Sequence, residues 1–521
     1  MRVLLSLLLI CASVDAYKYL VYNPKFGGSH AMLVGKVADE IAYGGHDVTV
    51  LQLNINPQVT KPGHTHKDIK LVTREFPNKW TDAPKNFWVA EFSGVMNTLN
   101  MMKMVGKKFR QACEFQLNDE ELLQQLRNEE FDVGVTESFD VCGYGIFAKI
   151  GLNKTITISG SSMFLGQSAN LGIPSMTSFV PDIFGTKVTG FIDRLKNWFT
   201  YVMGVHLVMP AFNGEIGKAF HLVPGYPDYM ELIARTSFVL VNADEFVDYP
   251  RPISHKYLNV AGYGMRRAMS KIGSLDKEFA DIFDKATKGV IYVSFGSMIK
   301  SADMPLDIRQ AFIEAFASFP EVQFIWKYEN ASHNVAEGYS NIHTGNWLPQ
   351  REILVHPKTL AFLTHAGMNS VTEATYSGVP MVCLPLFAEQ PRNADMIVKK
   401  GVAVRLNKQS LTKEEIQKAL KEIIENETYK QKSQTLAKLL RNKFQTPEEK
   451  IVKACELAAE FDIHKHLDMP GRTLNTLQFY NVDVIAFIIT SVVLVLAIVF
   501  GLVRFLLRKI SGFVFGKAKT E

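Results

Sequence analysis

The stretch WLPQREILVHPKTLAFLTHAGMNSVTEA, residues 347–374, places an aromatic in a polar setting ahead of an apolar run, and a small-residue turn behind it. Leu360-Ala-Phe-Leu-Thr364 reads as a buried strand. His365-Ala366-Gly367 is a turn, and a helical pattern follows it. A strand that runs through a glycine turn into a helix exposes the helix's first N–H groups, which suits a phosphate. Gly367 lets backbone approach a ligand closely, and Ser370 can add a hydroxyl. Asn369 and Glu373 are four apart and share a helix face. A carboxylate there can take both hydroxyls of a ribose. Trp347 can stack a base whose edge Gln350 reads. Each feature alone also fits an ordinary strand–helix turn beside a buried Trp. Together they point to the two ends of one nucleotide.

The same strand–turn–helix rhythm extends outward in both directions. Upstream, Tyr17-Lys-Tyr-Leu-Val-Tyr22 is an apolar strand, Gly27-Gly28-Ser29-His30 a loop, residues 30–43 a helical pattern, Gly44-Gly45 a stop and 46–51 a strand. Further strands are expected at 131–135, after an acidic helix at 118–130, and at 155–158. From about residue 288 the rhythm restarts, with a strand at 289–294, a loop Phe295-Gly296-Ser297-Met298, and strands at 323–326, 360–364 and 381–385. Alternating strands and helices predict α/β units with parallel sheets, here two, joined by a linker at 262–276. Thr412…Glu415 and Thr446…Glu449 are capping boxes that start late helices. Residues 448–461 are amphipathic and are expected to pack back on the first unit. Open parallel sheets bind ligands at their strand ends, and paired units bind them in the cleft between.

The ends of the 521-residue chain carry different information. MRVLLSLLLICASVDA reads as a secretory leader, residues 1–16, too short to span a bilayer. Residues 484–503 contain no charge and match a bilayer core as a helix. Arg504, Arg508, Lys509, Lys517 and Lys519 follow, so the tail 504–521 is expected on the cytosolic side and the body in the lumen. Sequons at Asn153, Asn330 and Asn426 fit a lumenal body. Once Cys11 leaves with the leader, Cys113, Cys142, Cys383 and Cys455 remain. No spacing suggests a metal or a redox pair; a Cys113–Cys142 disulfide is conceivable, and buried free thiols are the preferred reading. A net charge of +5 without a basic aromatic stripe argues against a nucleic-acid partner. No Asp-x-Asp pair follows the leader, so no metal is required to explain the site.

The segment 347–390, from Trp347 to the pair Glu389-Gln390, resembles the donor signature of the UDP-dependent glycosyltransferases, and of the animal UDP-glucuronosyltransferases in particular. Gly172-Ile-Pro-Ser175, Tyr249-Pro-Arg251-Pro252 and Val293-Ser-Phe-Gly-Ser297 extend the resemblance over the whole chain, and an invertebrate type fits it. The resemblance implies the GT-B fold, two facing Rossmann-like domains: residues 17–275 to bind the acceptor and 276–465 the UDP-sugar. It implies that Trp347 and Gln350 hold uracil and Glu373 the ribose. Ser297, His365, Gly367, Asn369 and Ser370 would hold the diphosphate, and Glu389 and Gln390 the sugar hydroxyls. The UDP-sugar is a co-substrate, and no further cofactor is expected.

Transfer needs a base for the acceptor hydroxyl, and histidine is suited to it. His30 alone could be a cap or a surface residue; the family places its catalytic histidine in the matching loop. A carboxylate should orient it. The family's usual Asp falls at Glu137, a departure by one methylene. Asp140 is the alternative, and the ungapped match favours Glu137. The mechanism implied is direct displacement with inversion. Arg251 either meets a glucuronate carboxylate or packs at the domain junction, so the choice between UDP-glucuronate, preferred, and UDP-glucose stays open. Trp80, Phe87, Trp88, Phe92, Met96, Met101, Met102 and Met104 suit an adaptable apolar pocket, a core or a membrane-facing surface. The resemblance adds a small lipophilic acceptor and a role in detoxification, and the tail Lys517-Ala-Lys519-Thr-Glu521 is similar to a dilysine signal for residence in the endoplasmic reticulum membrane, or else a basic stretch that binds anionic lipid. Association with itself or with a relative is a further expectation. A rival reading keeps the fold as a non-catalytic UDP-sugar-binding partner of an active transferase.

Overall fold

The computed structural model describes residues 16–80, 86–89, 95–162, 165–183, 185, 188–270 and 275–516. The leader (apart from Ala16), Phe92, the Met96 side chain, part of the expected linker, and Lys517 and Lys519 of the tail lie outside the described residues. Among the described residues the apolar runs form thirteen strands in two sheets. The first sheet contains β1 (Lys18–Tyr22), β2 (Asp47–Asn54), β3 (Lys70–Glu75), β4 (Val133–Glu137), β5 (Thr155–Ser159), β6 (Phe238–Val241) and β7 (Tyr257–Asn259), in the order β3-β2-β1-β4-β5-β6-β7. The second contains β8 (Gly289–Ser294), β9 (Val322–Lys327), β10 (Ile342–Gly345), β11 (Thr359–Thr364), β12 (Met381–Cys383) and β13 (Ala403–Arg405), in the order β10-β9-β8-β11-β12-β13. Every pairing is parallel.

Parallel sheets bury both faces, which explains why the strands read as apolar runs and not as alternations. β1, β4, β5 and β8 are almost wholly buried. In both sheets the chain order reverses at one place, between β1 and β4 and between β8 and β11. Such a reversal opens a crevice at the carboxyl ends of the two strands.

Eight helices matter to the site, the core around it and the C-terminal unit: α1 (Gly28–Tyr43), α2 (Val95–Leu117), α3 (Cys142–Ile150), α4 (Gln350–Val355), α5 (Met368–Ser377), α6 (Gln390–Lys399), α7 (Pro447–Glu460) and α8 (Val482–Gly516). α7 starts with the expected capping box, Thr446 Oγ1 accepting from Glu449 N and Glu449 accepting from Thr446 N. Its apolar face, Ile451, Ala454, Cys455 and Ala458, joins the core of the first sheet with Val34, Val37 and Ile41 of α1. This is the return that the amphipathic pattern predicts. Cys113 on α2 and Cys142 on α3 form a disulfide, with Cα atoms 5.5 Å apart. This replaces the expected pair of free thiols: α2 and α3 pack side by side in one core, which brings the two cysteines together. Cys383 and Cys455 are free and buried.

Residues 469–521 form a unit of their own. Its helix α8 contains a 31-residue stretch, Val482–Gly512, long and apolar enough to cross a membrane. The helix continues past the expected 484–503 stretch, through Arg504, Arg508 and Lys509.

Candidate active site

Both strand-order reversals open on one cavity of about 1830 Å3. That is larger than the roughly 300–1,000 Å3 of a pocket for one drug-sized ligand, so it has room for two.

On the first sheet's side, β1 leads into α1, whose N-cap Gly27 is extended and gives no side-chain cap. His30, in the first turn, lies at the cavity wall. Its Nδ1 is 2.8 Å from both carboxylate oxygens of Glu137, the last residue of β4. A carboxylate accepts only, so Nδ1 carries the proton. Nε2, the lone-pair nitrogen of that tautomer, has no hydrogen-bond partner among the described residues. Glu137 is 5% exposed, and its space comes from a missing side chain. A Cβ on Gly160 would stand 2.8 Å from Glu137 Oε1. Burial by itself pulls the His30 pKa down; the charge and hydrogen bond of Glu137, helped by Glu389, more than reverse this, and the net shift is upward.

Asp140 is three residues on and does not meet His30. It accepts from the Tyr22 hydroxyl at 3.3 Å and from Cys142 N at 3.0 Å, and it lies outside the cavity lining. Burial pushes its pKa up to about 7, against those two hydrogen bonds. Phe26 and Phe139 flank the His30 ring, with centroids at 4.7 and 5.1 Å. Trp80, Met101, Met102 and Met104 line the same end of the cavity. Phe87 and Trp88 divide their roles. They touch the cavity yet are buried in the second sheet's core, Phe87 stacked on Phe387 and Trp88 donating to Lys300 O.

On the second sheet's side, Trp347 is 53% exposed at the cavity wall, and Lys61 of the first half stands 4.4 Å from its ring centroid. Glu373 on α5 accepts from Gln350 Nε2 and Arg351 Nε, each at 2.7 Å, and Lys36 of α1 approaches it to 3.5 Å. Burial raises its pKa, but the charges of Arg351 and Lys36 with those hydrogen bonds bring it down to about 2. It is therefore a carboxylate at any ordinary pH. Gln350 is turned toward this carboxylate.

The turn after β11 is unusual. Ala366 has φ 63°, a left-handed conformation that costs a residue with a Cβ about 1–2 kcal/mol, and buried Asn393 holds its carbonyl at 3.1 Å. Gly367 is the N-cap of α5 and makes no side-chain cap, so the N–H groups of Met368, Asn369 and Ser370 point out of the helix end. A Cβ on Gly296 or Gly367 would stand 2.8 or 2.4 Å from His365 Nε2, so both positions need glycine for His365 to fit. Burial lowers the His365 pKa to about 4, opposed by a hydrogen bond with Ser294 backbone and reinforced by Lys327. The imidazole is neutral. Ser297 faces Gly28 across the cleft, 3.4 Å from where a Cβ would stand. Glu389 precedes α6 at the cavity wall, and burial raises its pKa against the pull of His30 and Arg392. Gln390 Oε1 accepts from Leu386 N and Phe387 N at 2.9 and 3.1 Å.

Arg251 is not in the cavity lining. It pairs with Asp248 at 3.0 Å, and Asp248 also takes Arg392 at 2.8 Å and the Ser162 hydroxyl at 2.6 Å. This buried cluster joins the two halves. Sequence reasoning does not pick out Lys36, Lys61, Gly160, Asn242, Arg351 or Arg392. Each contact they make crosses between distant segments, and no local pattern marks them.

A family model described as "UDP-glucoronosyl and UDP-glucosyl transferase" matches residues 18–517. The chain is 29% identical to the Caenorhabditis elegans protein ugt-48, over 92% of this chain and 93% of that one. It is 28% identical to human UDP-glucuronosyltransferase 1A8, over 97% and 95%. Among solved structures it is similar in fold to Phytolacca americana UGT2 complexed with UDP-2fluoro-glucose and pterostilbene, with a TM-score of 0.56, 16% identity, and 86% and 99% coverage of the two chains. The chain has the GT-B architecture and belongs to the family of UDP-glucuronosyl and UDP-glucosyl transferases.

Proposed function

We propose that the protein transfers a sugar from a UDP-sugar to the hydroxyl of a small lipophilic acceptor, with inversion at the anomeric carbon. His30 Nε2 takes the acceptor proton, the acceptor oxygen bonds to the anomeric carbon, and the bond to UDP breaks. Glu137 holds the imidazolium that forms. The observation that carries this reading is the His30–Glu137 pair at 2.8 Å, with Nε2 left unpaired at the wall of a cavity that also receives the open N-terminus of α5.

In this reading the α5 N–H groups, Asn369, Ser370, Ser297 and neutral His365 receive the charge developing on the leaving diphosphate. Glu373 takes the ribose hydroxyls, Trp347 stacks uracil, and Glu389 and Gln390 take sugar hydroxyls. The aromatic and methionine wall around His30 favours apolar acceptors. Glucuronate is the preferred sugar, supported by the name of the human relative, and glucose is its rival. The UDP-sugar is a co-substrate with no further cofactor. The body is lumenal in the endoplasmic reticulum, anchored by α8 as a type I protein, with residues 504–521 cytosolic.

The test is UDP binding to the detergent-solubilised chain, competed separately by UDP-glucuronate and UDP-glucose, followed by transfer to a panel of phenols and alcohols. Displacement by one sugar nucleotide and its transfer to an acceptor is the expected result. A folded sample that binds no UDP overturns the reading.

A further inference from the structure

We propose that Asn242 is a positioning residue for the diphosphate: it reaches across the cleft from the first sheet and orients the Asn369 amide so that its NH2 group faces the anion. The inference rests on the reading of the α5 N-terminus as the diphosphate site.

Which atoms can donate decides the orientation. Asn242 follows β6, and its own backbone N–H continues the ladder to Ser159 O at 2.9 Å, which sets where its side chain stands. The residue is 3% exposed. Its side-chain amide lies 3.1 Å from the Gly160 carbonyl oxygen and 2.7 Å from the Asn369 amide. A backbone carbonyl only accepts, so the Asn242 atom facing it is Nδ2. That nitrogen has two hydrogens, one for Gly160 O and one for Asn369. The Asn369 atom it meets is therefore the acceptor, Oδ1. Asn369 Nδ2 must then point the other way. It makes no hydrogen bond among the described residues, and Asn369 lines the cavity beside the open N–H groups of α5. An amide free to flip could also present its oxygen to an anion; here the flip is excluded by a carbonyl two contacts away. The same side chain thereby ties the turn that makes room for Glu137 to the helix that meets the leaving group.

The experiment titrates the full detergent-solubilised chain with UDP and with uridine. Asn242→Ala is expected to weaken UDP about tenfold, the scale of one hydrogen bond to a charged group, with uridine binding unchanged, since uridine lacks the diphosphate. Asn242→Asp turns the acceptor side toward Asn369, draws its NH2 away from the cavity, and is expected to weaken UDP further. In an Asn369→Ala background, Asn242→Ala is expected to add nothing. Retained uridine binding shows that each variant is folded. Equal losses for UDP and uridine, an unchanged UDP affinity, or the same loss in the Asn369→Ala background would each overturn the proposal while leaving the transferase reading standing. Wild-type chain that binds no UDP overturns both.

Discussion

Helices α1 and α5 begin in the same way. Each follows a strand at a strand-order reversal, each has an extended glycine at its N-cap, and neither has a side-chain cap. Each has a histidine at its start, in Gly-Gly-Ser-His30 and in Thr-His365-Ala-Gly. The two histidines end in opposite states. Burial lowers the pKa of both, but Glu137 across the sheet reverses the shift at His30, while Lys327 adds to it at His365. One imidazole is prepared to take up a proton; the other stays neutral beside the open N-terminus of α5. What distinguishes them is one carboxylate, delivered by a strand more than a hundred residues away.

The comparison breaks most visibly at His30. His30→Ala is expected to lower transfer by about 10²–10⁴-fold, the usual contribution of a general base, with UDP affinity unchanged; an equal loss in UDP binding would show that His30 serves the donor and not the acceptor. Glu137→Gln is expected to cost about a hundredfold, because a glutamine NH2 can donate to Nδ1 and move the ring proton to Nε2, the wrong tautomer for a base. It should also move the pH profile. His30 works in its neutral form, so the rate rises with pH through its pKa, which Glu137 holds above the ordinary histidine value. With that charge gone burial is opposed only by Glu389, and the midpoint should shift to lower pH. A midpoint that stays in place assigns the profile to another group.

On the α5 side, Trp347→Ala is expected to weaken UDP about tenfold, within the ~1–3 kcal/mol of one base stacked on an aromatic ring, as read by titration with uridine and UDP alike. Gly160→Ala sharpens the comparison more gently. Its Cβ would displace Glu137, and crowding of this kind costs about 1–3 kcal/mol, so turnover should fall severalfold while UDP affinity holds. Asp140→Asn is expected to have the smallest effect, leaving turnover unchanged, because Asp140 is held by Tyr22 and the start of α3.

Much of the fold is legible in order along the chain. The apolar runs at 17–22, 131–135, 289–294 and 360–364 predict parallel strands and form central ones, since a strand buried on both faces announces itself without its partners. The short strands β7, β12 and β13 carry weaker signals, and of these only β12 is expected from the sequence. In the site, the residues singled out from 347–390 converge on one cavity because each lies in the loop or the first turns of the helix that follows a strand's carboxyl end. Arg251 shows where such reading stops. Asp248, three residues before it, draws it into the junction and away from the cavity, and nothing in the local sequence shows that the distant Arg392 fixes Asp248 there. The disulfide is a second case: cysteine spacing cannot report that α2 and α3 share a core.

The sequence by itself determined two parallel α/β sheets, an apolar helix near the C-terminus, the family, and a glycine turn opening each of two helices, because these depend on periodicity and on residues close together along the chain. Only the tertiary structure decided that Glu137 and not Asp140 meets His30, that His365 is neutral, and that Asn242, Lys36 and Lys61 cross the cleft to the second sheet's side. Those outcomes depend on strand order, which sets β4 beside β1, and on the packing that brings the ends of both sheets to one cavity. Charge and hydrogen bonding then act over a few ångströms of space, whatever the distance along the chain.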